Sequence, residues 1–158
     1  MQEKIISLLR ERGLKVAIAE SLTGGAVAAA LVSVAGASAV FDEGFVTYSN
    51  AAKINRLGVC TDTIANFGTV SSECAVEMAE GVAKVANADI GLATTGIAGP
   101  DGGTAQKPVG LVYIALHFKN DTTIRKLSLS GTRADIISQT IKHSLELLQS
   151  LLSCGKMD

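Results

Sequence analysis

The segment Ala19-Glu20-Ser21-Leu22-Thr23-Gly24-Gly25 places a serine between an apolar run, Leu14 to Ala19, and an Ala-rich stretch, Ala26 to Val34. The run reads as a short buried strand and the stretch as a helix. A strand end followed by small residues and glycines that open a helix is where α/β proteins hold a ligand. Backbone N–H groups of a first helical turn lack intrahelical partners, and the helix dipole attracts anions there. Two chemistries suit such a turn: a cradle for a phosphate, or a serine nucleophile beside an oxyanion hole.

Two more polar clusters, Thr47-Tyr48-Ser49-Asn50 and Thr94-Thr95-Gly96, follow the next two strand candidates. In an open parallel sheet the C-terminal strand ends share one rim, so the three clusters should converge on one crevice. Each has a plainer reading, because Ser and Thr cap helices and Gly makes turns. Together with the glycine-rich loop Gly96 to Pro108 they point to a shared ligand site, since a long loop after a buried strand is usually functional.

A histidine base is poorly supported: His117 falls in or at the end of a strand and His143 mid-helix, both readable as structural or surface residues. Neither GxxxxGK[ST] nor a GxGxxG at a strand–helix turn is present, so the triphosphate and dinucleotide fingerprints are missing. No His, Cys, Asp and Glu spacing resembles a ligand set, and the expectation is no metal and no organic cofactor. A serine without histidine needs another base. Lys53 lies five residues after Tyr48, on a helix starting near Asn50, and can point back toward Ser21. A lysine desolvated in a cleft has a lowered pKa and can act as general base, with a tyrosine hydroxyl relaying the proton. On an exposed helix the same lysine would be a solvated charge; only Ser21 and Tyr48 give it a role.

The elements that must position these groups follow from the pattern. Ile5, Leu8 and Leu9 form one helical stripe that stops at Gly13. Lys15 to Glu20 is the first strand, Val40 to Tyr48 the second, and Ser49 or Asn50 caps a helix from Ala51 to about Leu57. Ser71-Ser72-Glu73 opens a long helix, Cys74 to Ala86, with Ala75, Val76, Ala79, Val82 and Ala83 on one side. Ala88 to Thr94 is an apolar run suited to a strand covered on both faces. Gly110 to His117 and Thr122 to Leu129 read as an antiparallel hairpin about Asn120-Asp121. A last helix begins at Gly131-Thr132, with Ile136, Ile137, Ile141, Leu145 and Leu148 at helical spacing. The sum is a three-layer α/β/α domain with a mostly parallel sheet.

With 158 residues the chain reads as one domain, residues 1–158, large enough to bury a core unaided. Lys and Arg total 14 against 15 Asp and Glu, which argues against nucleic acid or an anionic membrane as partner. Cys60, Cys74 and Cys154 are widely spaced without a CxxC, and fit a reduced, cytoplasmic setting. The N-terminus lacks a signal-peptide apolar core, and no stretch is long and apolar enough to span a bilayer.

Taken together, the Ser21 segment, Val46-Thr47-Tyr48-Ser49-Asn50 with Lys53, and Thr95-Gly96-Ile97-Ala98-Gly99-Pro100 through Lys107-Pro108-Val109-Gly110 resemble the CinA C-terminal domain family. The match is collinear and spans nearly the whole chain. The family includes nicotinamide-nucleotide amidases (NMN deamidases), which hydrolyse the carboxamide of nicotinamide mononucleotide to nicotinate mononucleotide and ammonia in pyridine-nucleotide salvage. The resemblance implies an α/β/α sandwich like the anticodon-binding domains, its five-stranded mixed sheet mostly parallel with one antiparallel strand. It places the family's catalytic Ser, Tyr and Lys on Ser21, Tyr48 and Lys53. It places the glycine-flanked loop on Thr23, Gly24 and Gly25, and a phosphate-binding arginine on Arg133. The expected substrate contacts are completed by Asn50, Thr95, Gly96, Ile97 and Gly99.

Two positions depart from the family pattern: Leu22, where Cys is common, and Asp101 in Pro100-Asp101-Gly102-Gly103, where the loop commonly reads Pro-Gly-Gly-Gly. Asp101 sets a carboxylate where an anionic substrate would be repelled. The chain starts at the amidase-like domain and so resembles the family's stand-alone form. The expected partners are the nucleotide substrate and further copies of the chain in a homo-oligomer, with no nucleic acid and no membrane. Two rival classes remain open: a catalytically silent module that binds nucleotide phosphate, and an interaction protein that merely keeps the crevice.

Overall fold

A computed structural model describes residues 1–153; Cys154 and the short tail that ends the sequence lie outside the described residues. Helix α1 (Gln2–Arg12) ends on Gly13, whose φ of 64° needs no Cβ-bearing residue to strain into it. It leads into β1 (Val16–Glu20), α2 (Ala26–Val32), a 3-10 turn at Ala37–Ala39, and β2 (Gly44–Val46). Then come α3 (Asn50–Leu57), α4 (Thr61–Phe67), α5 (Ser72–Val85), β3 (Ile90–Gly96), β4 (Leu111–Phe118), β5 (Asp121–Ser128) and α6 (Arg133–Ser153).

The five strands form one sheet in the order β2-β1-β3-β4-β5. β1 pairs parallel with β2 and β3, whereas β4 is antiparallel to both β3 and β5. Four strands therefore point one way and only β4 runs against them. The C-terminal ends of β2, β1 and β3 share one rim, and β5 delivers the start of α6 to the same rim.

The central strands alternate large and small residues, which divides the core in two. Val16 and Ile18 of β1, with Ile90 and Leu92 of β3, face a cluster built with α1, α2 and α6. Ala17, Ala19, Ala93 and Ala115 face the other side, against Ala75, Met78, Ala79 and Val82 of α5 and Leu57 of α3. The small residues let α5 lie very close to the sheet. A Cβ built on Gly91 would stand 2.0 Å from the Ala79 carbonyl oxygen, and one on Gly81 would stand 2.1 Å from the Leu57 carbonyl oxygen. Any side chain at either glycine would push backbone apart, so these two positions fix α5 on β3 and α3 on α5.

Several expectations need correction. The second strand is three residues long rather than running from Val40 to Tyr48, because Val40 closes the 3-10 turn and Asp42 and Glu43 are exposed. Helix α4 had no sequence expectation at all. On α5 the buried face includes Cys74 and Met78, while Val76 is only half-buried. On α6, Ile137 and Ile141 pack at the margin, and Thr140 and Ser144 are buried in the core face. Both hydroxyls are satisfied within the helix, donating to the Ile136 and Thr140 carbonyls. The hairpin turn is Lys119-Asn120, with Lys119 at a φ of 57°, and Asp121 already belongs to β5.

Candidate active site

Ser21 is the first residue after β1, and its amide donates to the Thr94 carbonyl of β3 at 3.0 Å, which continues the ladder up to the nucleophile candidate. The chain then turns, with the Gly24 amide on the Ser21 carbonyl, and enters α2 through Gly24 and Gly25 at φ values of 61° and 100°. Only glycine takes such angles freely, so the turn explains the pair. Thr23 is buried, and its hydroxyl is bonded to the Thr94 hydroxyl at 2.8 Å, a second tie between the turn and β3.

The start of α2 is already occupied. Glu20, 1 % exposed, turns its carboxylate onto the helix N-terminus and accepts from the amides of Gly25 (3.0 Å), Val27 (3.1 Å) and Ala28 (2.8 Å). The Ala26 amide goes to the Thr23 carbonyl. The expectation that amides from Thr23 to Gly25 would meet an oxyanion or phosphate is therefore corrected for Gly24 and Gly25: their N–H groups have intramolecular acceptors, and a resident carboxylate already answers the dipole. Among the described residues, the amides of this turn without an acceptor are those of Leu22 and Thr23.

Lys53 is only 1 % exposed although it sits in the second turn of α3. Its Nζ lies 3.0 Å from Ser21 Oγ, 2.8 Å from the Thr47 carbonyl oxygen and 3.3 Å from that of Tyr48. Ser49, whose hydroxyl accepts the Ala52 amide, caps α3 and sets the direction in which Lys53 reaches back. Burial lowers the lysine pKa, with Cys74 acting in the opposite, weaker sense. Burial in turn pushes the Cys74 thiol up to about 11, so it stays neutral near Lys53 at ordinary pH. Among the described residues, the Thr47 hydroxyl is the buried side-chain polar group without a hydrogen-bond partner.

Tyr48 does not sit where a proton relay would. The residue is 59 % exposed, and its hydroxyl accepts from a terminal guanidinium nitrogen of Arg133 at 2.9 Å. What Tyr48 gives Lys53 is its backbone carbonyl. The other terminal nitrogen of Arg133 donates to the Gly99 carbonyl at 2.9 Å, so this one side chain joins the β2–α3 rim to the glycine loop. Below it, Thr132 and Asp135 bond reciprocally at the start of α6, and those bonds lower the Asp135 pKa.

Ser21, Tyr48, Lys53, Thr95, Gly96, Ile97, Gly99 and Arg133 all line one crevice of about 250 Å³. Thr23, Gly24, Gly25 and Asn50 lie outside its lining; Thr23 is engaged inside the turn, and Asn50 is an exposed first residue of α3. Thr69 and Val70, from the connection between α4 and α5, form a wall that sequence reasoning missed. Thr95 donates to the Thr69 carbonyl at 2.7 Å, and Lys107 of the glycine loop donates to the Phe67 carbonyl. Two larger hollows, about 430 and 510 Å³, are surface grooves beside α6 and α5 whose lining, among the described residues, holds no lysine or histidine. His117 and His143 are bonded to Thr122 and Glu146, away from the crevice. Among the described residues no three His, Cys, Asp or Glu side chains gather as a metal site, and no helix is long and apolar enough to cross a membrane.

The model of the CinA C-terminal domain family matches residues 1–152. A CinA-like protein from Kosmotoga olearia is 50 % identical over 152 residues, which is 96 % of this chain and 37 % of the relative. The chain thus spans little more than a third of that curated relative's length. The crystal structure of the competence/damage inducible protein CihA from Agrobacterium tumefaciens is 43 % identical, with a TM-score of 0.87 over 94 % of this chain and 95 % of that one. The competence or damage-inducible protein from Enterobacter asburiae is 35 % identical and superimposes with a TM-score of 0.93 over 96 % of each chain.

Proposed function

The chain belongs to the CinA C-terminal domain family, and on that premise we propose that it is a serine amidohydrolase that converts nicotinamide mononucleotide to nicotinate mononucleotide and ammonia. One observation carries the reading: a fully buried lysine amine 3.0 Å from the hydroxyl of a serine that opens onto a crevice.

The chemistry follows from the donors and acceptors around Lys53. As a neutral amine, Lys53 directs its two N–H bonds at the Thr47 and Tyr48 carbonyls, which leaves its lone pair on the Ser21 hydroxyl. Lys53 takes the Ser21 proton as Oγ attacks the carboxamide carbon. The negative charge that develops on the amide oxygen meets the amide of Leu22, which lines the crevice beside the nucleophile. Lys53 then returns the proton to the departing nitrogen, and ammonia leaves an acyl-serine. In the second half, Lys53 deprotonates water, which attacks the acyl carbon and frees the carboxylate with Ser21 restored.

Arg133 at the crevice mouth offers a planar donor fork to the phosphate. Tyr48 holds that fork in place and lends its carbonyl to the base, so it links the two ends of the site without carrying the proton. The reading is tested by ammonia release from nicotinamide mononucleotide, with mass spectrometry of quenched protein to look for an acyl group on Ser21. Absence of ammonia release at any pH where the fold is intact sinks it.

A further inference from the structure

Three charged side chains line the crevice: Lys53, Arg133 and Asp101. Lys53 lies at the floor with its pKa lowered by burial. Arg133 and Asp101 both stand at the mouth and are exposed, yet no ion pair joins them. The Arg133 guanidinium gives one N–H from each terminal nitrogen to a neutral oxygen, those of Gly99 and Tyr48, and keeps its other donors. The Asp101 carboxylate has no hydrogen bond or ion pair among the described residues, in a loop fixed by Arg133 at Gly99 and by Lys107 at Phe67. Opposite charges held apart on one rim are suited to a ligand that carries both signs.

Building on the deamidase reading, we infer that Asp101 determines specificity by pairing with the positive charge of the substrate's pyridinium ring, while Arg133 takes the phosphate. The substrate class is then a zwitterion: a carboxamide on an N-glycosylated, cationic ring, with an anionic phosphate at the far end. Electrostatics favour this reading over simple phosphate capture. On the exposed rim the charges of Arg133 and Asp101 cancel, and a ligand with a neutral ring and a phosphate would gain at Arg133 and lose at Asp101. A cationic ring turns that loss into an attraction. The carboxylate that would repel a purely anionic nucleotide thus selects against one.

The test measures binding, so that the greater electrophilicity of the cationic ring's amide does not enter. Protein carrying Ser21→Ala, alone or with Asp101→Asn, is titrated calorimetrically with nicotinamide mononucleotide and with its 1,4-dihydro form, whose ring is uncharged. Asp101→Asn should weaken binding of the oxidised form about three- to fivefold, the range of a partly solvated ion pair. The dihydro form should bind the variant as well as before or better, and the oxidised-form effect should shrink in high salt. An equal loss for both forms, or tighter binding of both, overturns the inference: the first means that Asp101 shapes the loop or meets the ribose, the second that it merely repels phosphate. If wild-type protein releases no ammonia and Ser21→Ala protein binds neither form, the substrate reading itself fails and this inference falls with it. If ammonia is released and only the charge discrimination is missing, the inference alone fails.

Discussion

Lys53 Nζ stands 3.0 Å from Ser21 Oγ, across 32 residues of sequence, and among the described residues the amine has no other side-chain hydrogen-bond partner: its remaining hydrogen bonds go to the carbonyls of Thr47 and Tyr48. A lysine so enclosed cannot be a surface charge, and its amine stands where the proposed reaction needs a base.

Ser21→Ala removes the proposed nucleophile and almost no buried volume. Deamidation should fall by about a thousandfold or more, the scale seen when a covalent nucleophile is deleted, while the melting temperature stays within a few degrees of wild type. Activity within about tenfold of wild type, roughly 1.4 kcal/mol of barrier, would exclude Ser21 from that role.

Lys53→Met should abolish activity to a similar degree and leave the protein no less stable. The sign follows from linkage. Burial lowers the folded-state pKa of Lys53 below that of the unfolded chain, so between the two values the unfolded state binds more protons and stability rises with pH. The cost is fully present below the folded-state pKa and disappears above the ordinary lysine range. Thermal unfolding between about pH 6 and pH 10 should show that slope in wild type and a flatter one in the variant, and wild-type kcat/KM should climb with pH over the same limb. A variant that unfolds more readily than wild type at pH 6, with an unchanged slope, contradicts the assignment.

Much of this was legible in the sequence, and what was not has physical causes. Alternating Val-Ala-Ile-Ala over Val16–Ala19 announces a strand covered on both faces, and the Ser21, Tyr48 and Thr95 clusters converge because β2, β1 and β3 are parallel neighbours. Glu20 was readable only as a strand end; that its carboxylate folds back over α2 depends on the turn geometry of Gly24 and Gly25, which no spacing rule displays. Helix α4 gave no signal because it is seven residues long and buries none of them, so no apolar stripe marks it. The Thr69–Val70 wall went unseen with it.

Glu20→Ala should be the most destabilising of these changes. It leaves the amides of Gly25, Val27 and Ala28 without their acceptor and the α2 dipole unanswered. Loss on the order of 2 kcal/mol is expected for buried groups deprived of a partner, a drop of several degrees in melting temperature for a chain of this size. Chemical denaturation gives the value directly; a change below about 0.5 kcal/mol, typical of neutral surface substitutions, means the carboxylate is not what holds the turn.

Tyr48→Phe separates two roles for one residue. If the hydroxyl passes the proton between Ser21 and Lys53, its removal should lower kcat nearly as far as Lys53→Met does. The observed bond runs instead to Arg133 at 2.9 Å, and the carbonyl that serves Lys53 survives the substitution. The expected outcome is a rise in KM of about fivefold, one lost charge-assisted hydrogen bond, with kcat changed by less than that. Arg133→Ala should raise KM further and weaken the preference for nucleotide over the dephosphorylated nucleoside. Because the two side chains act as one clamp, adding Tyr48→Phe to Arg133→Ala should cost little more than Arg133→Ala alone. Steady-state kinetics on the four proteins of that cycle decide the matter: additive effects on KM dissolve the clamp, and a collapse of kcat in Tyr48→Phe restores the relay.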